Sequence, residues 1–347
     1  MSSASKPGAR GPDVLVAMDK FRGTATAVEL GDCVARVVRE RGGRADVQPM
    51  SDGGEGFLDA FAGETHHVQV AGPLGEPVTG RVRLHDTRAG RLGVIEIADV
   101  VGRARLVAPS SQQALAASSV GVGELLIAAQ ELGVDSILVG CGGSATSDAG
   151  LGCYDVLRRS GGLRVPVTAA TDVTSVFEGA LDFAAQKGVA SEDLGVLAER
   201  LAAARARYLD ECGLDVGPLA RAGAAGGIPA ALSALGATLA GGFDVVSAEC
   251  ELARRALGRA LVVTGEGRFD RTSLAGKVVV GVASLVVTPT RLVVLCGSLD
   301  KGAAREFARV HRGVEFVSLV ERFGYRRATR DVLACVASIV DEVLDAH

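Results

Sequence analysis

Five glycine-rich segments of the 347-residue chain place charged side chains where they could do chemistry. Residues 19–24 read Asp-Lys-Phe-Arg-Gly-Thr directly after an apolar run, so one carboxylate and two cations stand at an expected strand end. Arg22 can grip phosphate or carboxylate with a planar fork, and Lys20 acts as a point charge. Residues 52–56 read Asp-Gly-Gly-Glu-Gly. Their glycines let backbone N–H groups approach an anion, and a helix expected from Phe57 would add positive potential. Asp52 and Glu55 could instead hold Mg²⁺, which prefers oxygen ligands. Residues 142–148, Gly-Gly-Ser-Ala-Thr-Ser-Asp, offer amides that could cradle phosphates, although no Gly-Lys-Ser/Thr closes a P-loop. Residues 223–227 form a fourth, small-residue stretch before an expected helix over 230–239. The fifth runs from Gly265-Glu266-Gly267-Arg268-Phe269-Asp270 to Gly276-Lys277, and its two carboxylates and two cations suit a metal-bound phosphate. Each segment also has a plainer reading: a solvated turn, a close packing of backbones, or a surface charge cluster.

Other chemistries find little support. His66 and His67 are adjacent with no third ligand at metal spacing, and no Gly-x-Ser-x-Gly elbow anchors a hydrolase triad. The Gly-x-Gly at 265–267 lacks the third glycine of a dinucleotide fingerprint, which speaks against a dehydrogenase. Seven cysteines, an odd number without a C-x-x-C pair, read as reduced thiols of a cytoplasmic protein. A net charge of -4 argues against nucleic acid as partner, and 4% aromatics against stacking platforms. No apolar run approaches the roughly 20 residues that span a bilayer. Carboxylates, Lys/Arg and glycine amides remain, the toolkit of phosphoryl transfer.

The elements that must position these segments alternate. Strands are expected at 14–18 and 45–50, separated by a helix from Thr26 whose hydroxyl caps it and whose Glu29 completes a capping box. Beyond residue 66 short β-like runs at 67–70, 78–84 and 92–98 imply an antiparallel meander. A helix over 123–132, a strand over 135–140 and a helix over 191–209, capped by Ser191 and burying Leu194, Leu197 and Leu201, follow. Strands at 260–264, 291–295 and 315–319 and a closing helix over 331–344 restore the parallel α/β texture. The fold class is therefore α/β with two domains. A discontinuous, Rossmann-like parallel-sheet domain comprises 13–65 and 250–347, and 66–249 form an inserted mixed α/β domain. Residues 1–12 read as a disordered tail without a signal peptide. Ligands of open α/β sheets bind at the carboxyl ends of strands, so the five segments are expected to converge on one interdomain cleft.

Taken together, the segments resemble the bacterial glycerate kinase family. The ordered blocks are 19–24, 50–57, 140–152, 223–227 and 265–277, with further matches at Ala71-Gly72-Pro73-Leu74-Gly75, Thr171-Asp172-Val173-Thr174 and Gln186-Lys187-Gly188. The resemblance implies a two-domain α/β enzyme that uses ATP and Mg²⁺ to phosphorylate D-glycerate to 2-phosphoglycerate or 3-phosphoglycerate. Within that reading Asp172, at the end of a short apolar run, is expected either to be the base that orients the attacking hydroxyl or to serve as a structural cap, with Arg22 and Lys277 as the other catalytic residues. Arg22 or Arg268 would hold the glycerate carboxylate, with Asp19, Lys20 and Asp270 beside the substrate. Gly53, Gly54, Gly142, Gly143, Ser144, Thr146, Gly265 and Gly267 would line the nucleotide, and Asp52 and Glu266 would hold Mg²⁺. The partners implied are small molecules, with neither nucleic acid nor membrane, and nothing in the sequence sets an oligomeric state.

The chain departs from the family at Lys20 and Arg22, where the family usually has Ser and Lys. The stretch between Cys153 and Thr171 is shorter than usual, and 175–179 replace the usual Asn-Pro-Leu and Gly-rich run. Two alternatives follow: a kinase of another small hydroxy acid, or a divergent nucleotide- or acid-binding homologue with weak or lost turnover.

Overall fold

The computed structural model describes residues 11–345; residues 1–10 of the expected disordered tail lie outside them. The chain divides into two compact units, one running up to Ser51 and resuming at Val246, the other Asp52–Val245. The strands, in chain order, are β1 (Asp13–Met18), β2 (Arg44–Val47), β3 (Glu64–Ala71), β4 (Pro77–Thr87), β5 (Gly90–Glu96), β6 (Ser136–Gly140), β7 (Val167–Thr171), β8 (Thr238–Gly241), β9 (Leu261–Phe269), β10 (Arg291–Leu299) and β11 (Val314–Ser318).

The first unit is a five-stranded parallel sheet of order β11-β10-β9-β1-β2. Parallel strands buried on both faces read as continuous apolar runs, as Val-Leu-Val-Ala-Met in β1 does. Val14, Val16 and Met18 face the helices Ala27–Glu40 and Val332–Asp345 through Leu30, Val34, Val37, Val336, Ile339 and Val340. The first helix starts where the sequence predicts. Thr26 Oγ1 accepts from Glu29 N at 3.1 Å, and the Glu29 carboxylate accepts from Thr26 N at 2.8 Å.

The second unit holds a six-stranded mixed sheet, β3-β4-β5-β6-β7-β8, antiparallel from β3 to β5 and parallel from β5 to β8. Helices Val120–Glu131 and Leu151–Arg159 pack on it through Val122, Leu125, Leu126, Cys153 and Leu157. A second core gathers Tyr154, Phe177, Leu197, Leu201 and Tyr208 under the helix Leu194–Cys212.

Several local expectations change. Beyond Thr264, β9 continues to Phe269, because its 265–269 segment still pairs with β10, so most of the fifth glycine-rich segment is strand. The expected helix at Phe57 is one 3₁₀ turn, Phe57–Ala60. Ser191 opens a 3₁₀ turn rather than capping the helix, which starts at Leu194, and Leu194 is 36% exposed. The helix expected over 230–239 stops at Ala234, and β8 follows it. The boundaries read from sequence, near 65 and 250, shift to Ser51 and Val245, because 52–60 pack within the second unit. A Cβ on Gly53 would lie 2.8 Å from Ala170 O, and one on Gly142 would lie 2.4 Å from Gly54 Cα.

Candidate active site

In the first unit, β1 and β9 set the geometry. Asp19 N donates to Gly265 O at 3.0 Å, and residues 21–25 close a tight turn in which Phe21 N donates to Ala25 O at 2.8 Å. Gly23 at φ +77° permits that turn. The same turn buries Phe21 and leaves Arg22 exposed. A Cβ on Gly267 would lie 3.2 Å from Arg22 N and Phe21 Cα, and one on Gly265 would lie 2.1 Å from Leu295 O. These two glycines thus let the first loop and β10 close on β9.

The charged groups around this edge are differently employed. The buried Asp19 carboxylate accepts from Lys20 N at 2.8 Å and pairs with Lys20 Nζ at 3.7 Å. Glu266 is buried on β9. Arg268 is exposed and pairs with Asp270 at 3.0 Å. Asp270 also accepts from Thr272 N and Oγ1 at 2.8 and 2.7 Å, fixing the turn before Lys277. The Thr272 hydroxyl bond, then the amide bond and Arg268, hold the Asp270 carboxyl below its usual range. Lys277 takes the N-cap position of the helix Val278–Leu285.

In the second unit the carboxyl ends of β6, β7 and β8 gather the remaining candidates. Asp52 accepts from Gly54 N at 3.3 Å, and a Cβ on Gly242 would lie 2.0 Å from Asp52 O. Asp172 is half-buried immediately after β7 and raises the pKa of the Cys141 thiol, which desolvation raises more. Asp52, Gly53, Gly54, Gly142 and Asp172 are therefore neighbours at one sheet edge.

The loop 142–148 is clamped along its length. Ala145 N donates to Val101 O at 2.7 Å, and Arg103 N donates to Gly143 O at 2.9 Å. A Cβ on Gly226 would lie 2.1 Å from Thr146 O, so the fourth glycine-rich stretch lies against the third. The Asp148 carboxylate accepts from Ser119 N and Oγ and from Gly150 N and Gly152 N, tying two helix starts to the loop. Ser144 and Thr146 are buried, and Thr146 Oγ1 and Ser147 Oγ have no hydrogen-bond partner among the described residues.

Two groups here escaped the sequence reading. Lys187, 6% exposed, donates from Nζ to Thr146 O at 2.7 Å and to Ser144 Oγ at 3.3 Å. Desolvation pulls its pKa down to about 8; Asp148 opposes this shift and Arg103 adds to it. Its triplet was noted, but a lysine beside a glycine gives no sign that it will be buried. Glu96 ends β5, 2% exposed, and accepts from Gly56 N at 3.0 Å and Leu58 N at 3.3 Å. The amides at Gly56 and Leu58, expected to face an anion, are thus already occupied by a carboxylate of the protein. Desolvation, then Asp99, lifts Glu96 to about 7 against the pull of those amides.

The metal candidates, Asp52 and Glu266, belong to different units, and no group of three or more His, Cys, Asp or Glu could hold a metal among the described residues. Each offers the hard oxygen that Mg²⁺ takes singly when phosphates and water fill its other positions.

Comparison with known proteins gives this geometry its context. The glycerate kinase family profile matches residues 14–161 and 159–331. An uncharacterised protein of Mycobacterium bovis is 38% identical over 312 residues, covering 84% of this chain and 81% of its own length. The glycerate 2-kinase of Escherichia coli is 31% identical over 327 residues, covering 82% and 85%. The crystal structure of a putative glycerate kinase 2 from Salmonella typhimurium superposes with a TM-score of 0.77 at 28% identity, over 96% of this chain and 98% of that one. No helix among the described residues is long and apolar enough to cross a membrane. With the family matched across both units and one fold shared nearly end to end, the chain belongs to the glycerate kinase family and is a kinase acting on small molecules.

Proposed function

We propose that the enzyme transfers the γ-phosphoryl group of ATP to a hydroxyl of D-glycerate, favouring 2-phosphoglycerate over 3-phosphoglycerate. The observation that supports this reading is the place of Asp172 directly after β7 and electrostatically beside Cys141, at the carboxyl ends of β6 and β7 where Gly53 closes on Ala170 and Gly142 on Gly54. The name of the Escherichia coli relative supports the 2-position.

In this mechanism Asp172 accepts the hydroxyl proton as the hydroxyl oxygen bonds to the γ-phosphorus. The bond from that phosphorus to the β,γ-bridging oxygen breaks, and ADP leaves with the electron pair. Asp52 and Glu266 would contact Mg²⁺ that arrives with the nucleotide, where the ion neutralises phosphate charge. Lys277 and the amides of Gly142, Gly143, Ser144 and Thr146 hold phosphates, the Ala145 amide being taken by Val101 O, while Arg22 or Arg268 holds the glycerate carboxylate. The loop sets of both units serve one catalytic cycle. A cytoplasmic location fits the seven free cysteines.

A coupled assay of ADP release across a panel of small hydroxy acids, with phosphorus NMR of the product, tests this. Turnover that requires D-glycerate and yields the 2-phosphate is expected. Turnover with a different hydroxy acid alone would reassign the substrate, and ATP binding without acid-dependent turnover would overturn the reading.

A further inference from the structure

We propose that Arg221 is an oxyanion-binding residue of the catalytic site, gripping the carboxylate of the hydroxy acid or a phosphate of the nucleotide. This rests on the kinase reading above, in which none of the three glycine-rich segments of the second unit supplies an arginine. Arg221 Nη1 donates to Thr171 Oγ1 at 3.3 Å, and a Cβ on Gly241 would lie 2.4 Å from Asp244 Oδ2 and 3.2 Å from Arg221 Nη2, so the fork has that carboxylate as a neighbour without an ion pair to it. Thr171 and Gly241 are paired residues at the carboxyl ends of β7 and β8. The guanidinium therefore stands over the sheet edge that carries Asp172 on one strand and receives Asp52 at Gly242.

Two properties of Arg221 bear on this role. Arg81 and Arg205 each grip a carboxylate with two prongs and Arg207 bridges Asp155 and Glu211, whereas Arg83, Arg103 and Arg200 spend their donors on neutral oxygens. Arg221 makes no ion pair among the described residues, and its one side-chain bond is the long contact to Thr171. The half-buried fork thus keeps donors for an incoming oxyanion. Arg221 also holds φ at +76°, the left-handed region where glycine and asparagine are at ease and a long side chain is strained. The backbone path, with Arg221 N on Thr174 O and Gly223 N on Ser175 O, would be met more easily by glycine. A strained arginine aimed at a strand-end carboxylate cluster is the pattern of a residue kept for its side chain.

The test compares Arg221→Gly, Arg221→Asn and Arg221→Lys with the wild type, measuring KM and kcat for D-glycerate and ATP separately, ADP affinity by calorimetry, and Tm. Glycine and asparagine both accept the backbone, so Tm should hold or rise. The expected result is a loss of roughly 10- to 150-fold in kcat/KM for one substrate, carried by its KM, with lysine restoring part of it. A rise confined to the glycerate KM assigns the carboxylate; weakened ADP affinity assigns a phosphate. If both KM values and ADP affinity stay within two-fold in folded Arg221→Gly and Arg221→Asn, the proposal is overturned. A wild type without turnover on any hydroxy acid overturns the kinase reading instead. ADP affinity, wild type against Arg221→Gly, then decides the Arg221 proposal alone: weakened binding upholds it and unchanged binding ends it.

Discussion

Outside the strands, the loops of the two units use glycine for opposite ends. In the first, Gly23 and Gly276 sit at positive φ with nothing near the place of a Cβ, and the side chains beside them, Arg22 and Lys277, carry charge. In the second, Gly53, Gly142, Gly150, Gly226 and Gly227 each have another stretch of backbone where a Cβ would go. One set of loops displays cations on short, open turns. The other interlocks backbone against backbone and buries its polar groups, Glu96, Lys187 and Thr146 among them. The lesson is that a glycine-rich segment read as a phosphate cradle can be, at several of its residues, a rigid joint between backbones.

The contrast can be broken most sharply at Asp172. Asn matches its size but cannot accept the hydroxyl proton, so Asp172→Asn should lower kcat by about 10²–10⁴-fold while ATP affinity stays near wild type. Pre-steady-state turnover with calorimetry of ADP binding measures both.

Buried ionisable groups make the second unit respond to pH in its own way. Glu96 rises from 4.5 to about 7 on folding, so it binds its proton more tightly when folded. The stability it contributes is whole below pH 4.5 and lost as pH climbs through 7, by about 3 kcal/mol. Lys187 falls from 10.5 to about 8, so the deficit present below pH 8 disappears as pH climbs to 10.5, by a similar amount. Denaturant melts across pH should show a trough between these limbs. Glu96→Gln should flatten the acid limb and Lys187→Met the alkaline one. In the first unit the lowered carboxyl of Asp270 acts the other way: its contribution is present above 3.8 and is lost only on acidification.

Arg22→Ala should reduce kcat/KM by roughly 10- to 150-fold through loss of a charge-assisted grip, with little change in Tm for so exposed a residue. Lys20→Ala releases Asp19 from its 3.7 Å partner and should be milder; the reverse order would give Lys20 the cationic role. The smallest contrast is between two glycines. Gly142→Ala drives a methyl to 2.4 Å from Gly54 Cα and should destabilise by about 3 kcal/mol. Gly23→Ala meets only its φ of +77° and should cost about 1 kcal/mol. Chemical denaturation of both variants reads the difference directly.

What the sequence made legible was governed by local rules. Thr26 and Glu29 announced a capping box because both hydrogen bonds span three residues. The apolar run of β1 announced a doubly buried strand. Gly265 and Gly267 misled, since strand pairing with β10 overrides the turn preference of glycine when neighbouring backbones close on both sides. Asp52 and Asp172 were legible as candidates because each closely follows an apolar run that reads as a strand, where the ligands of open α/β sheets gather. Glu96, Lys187 and Arg221 were not, because their meaning comes from partners far along the chain: Gly56 for Glu96, Thr146 for Lys187, Thr171 for Arg221.

The contact of Asp52 with Gly242 has a consequence for the order in which the chain is made. The second unit begins at Asp52, which lies against Gly242 just before the unit ends at Val245, so it leaves and re-enters its host as a closed excursion. On a ribosome β1 emerges first, yet its neighbour β9 follows only after the whole excursion has been synthesised. The parallel sheet must wait for a partner that lies at a large contour distance. Folding of the excursion brings its own two ends together and so relieves the host of most of the loop-closure entropy. Vectorial synthesis thus favours one sequence of events: the insert folds first, and its completion delivers the missing central strand to the sheet it interrupted.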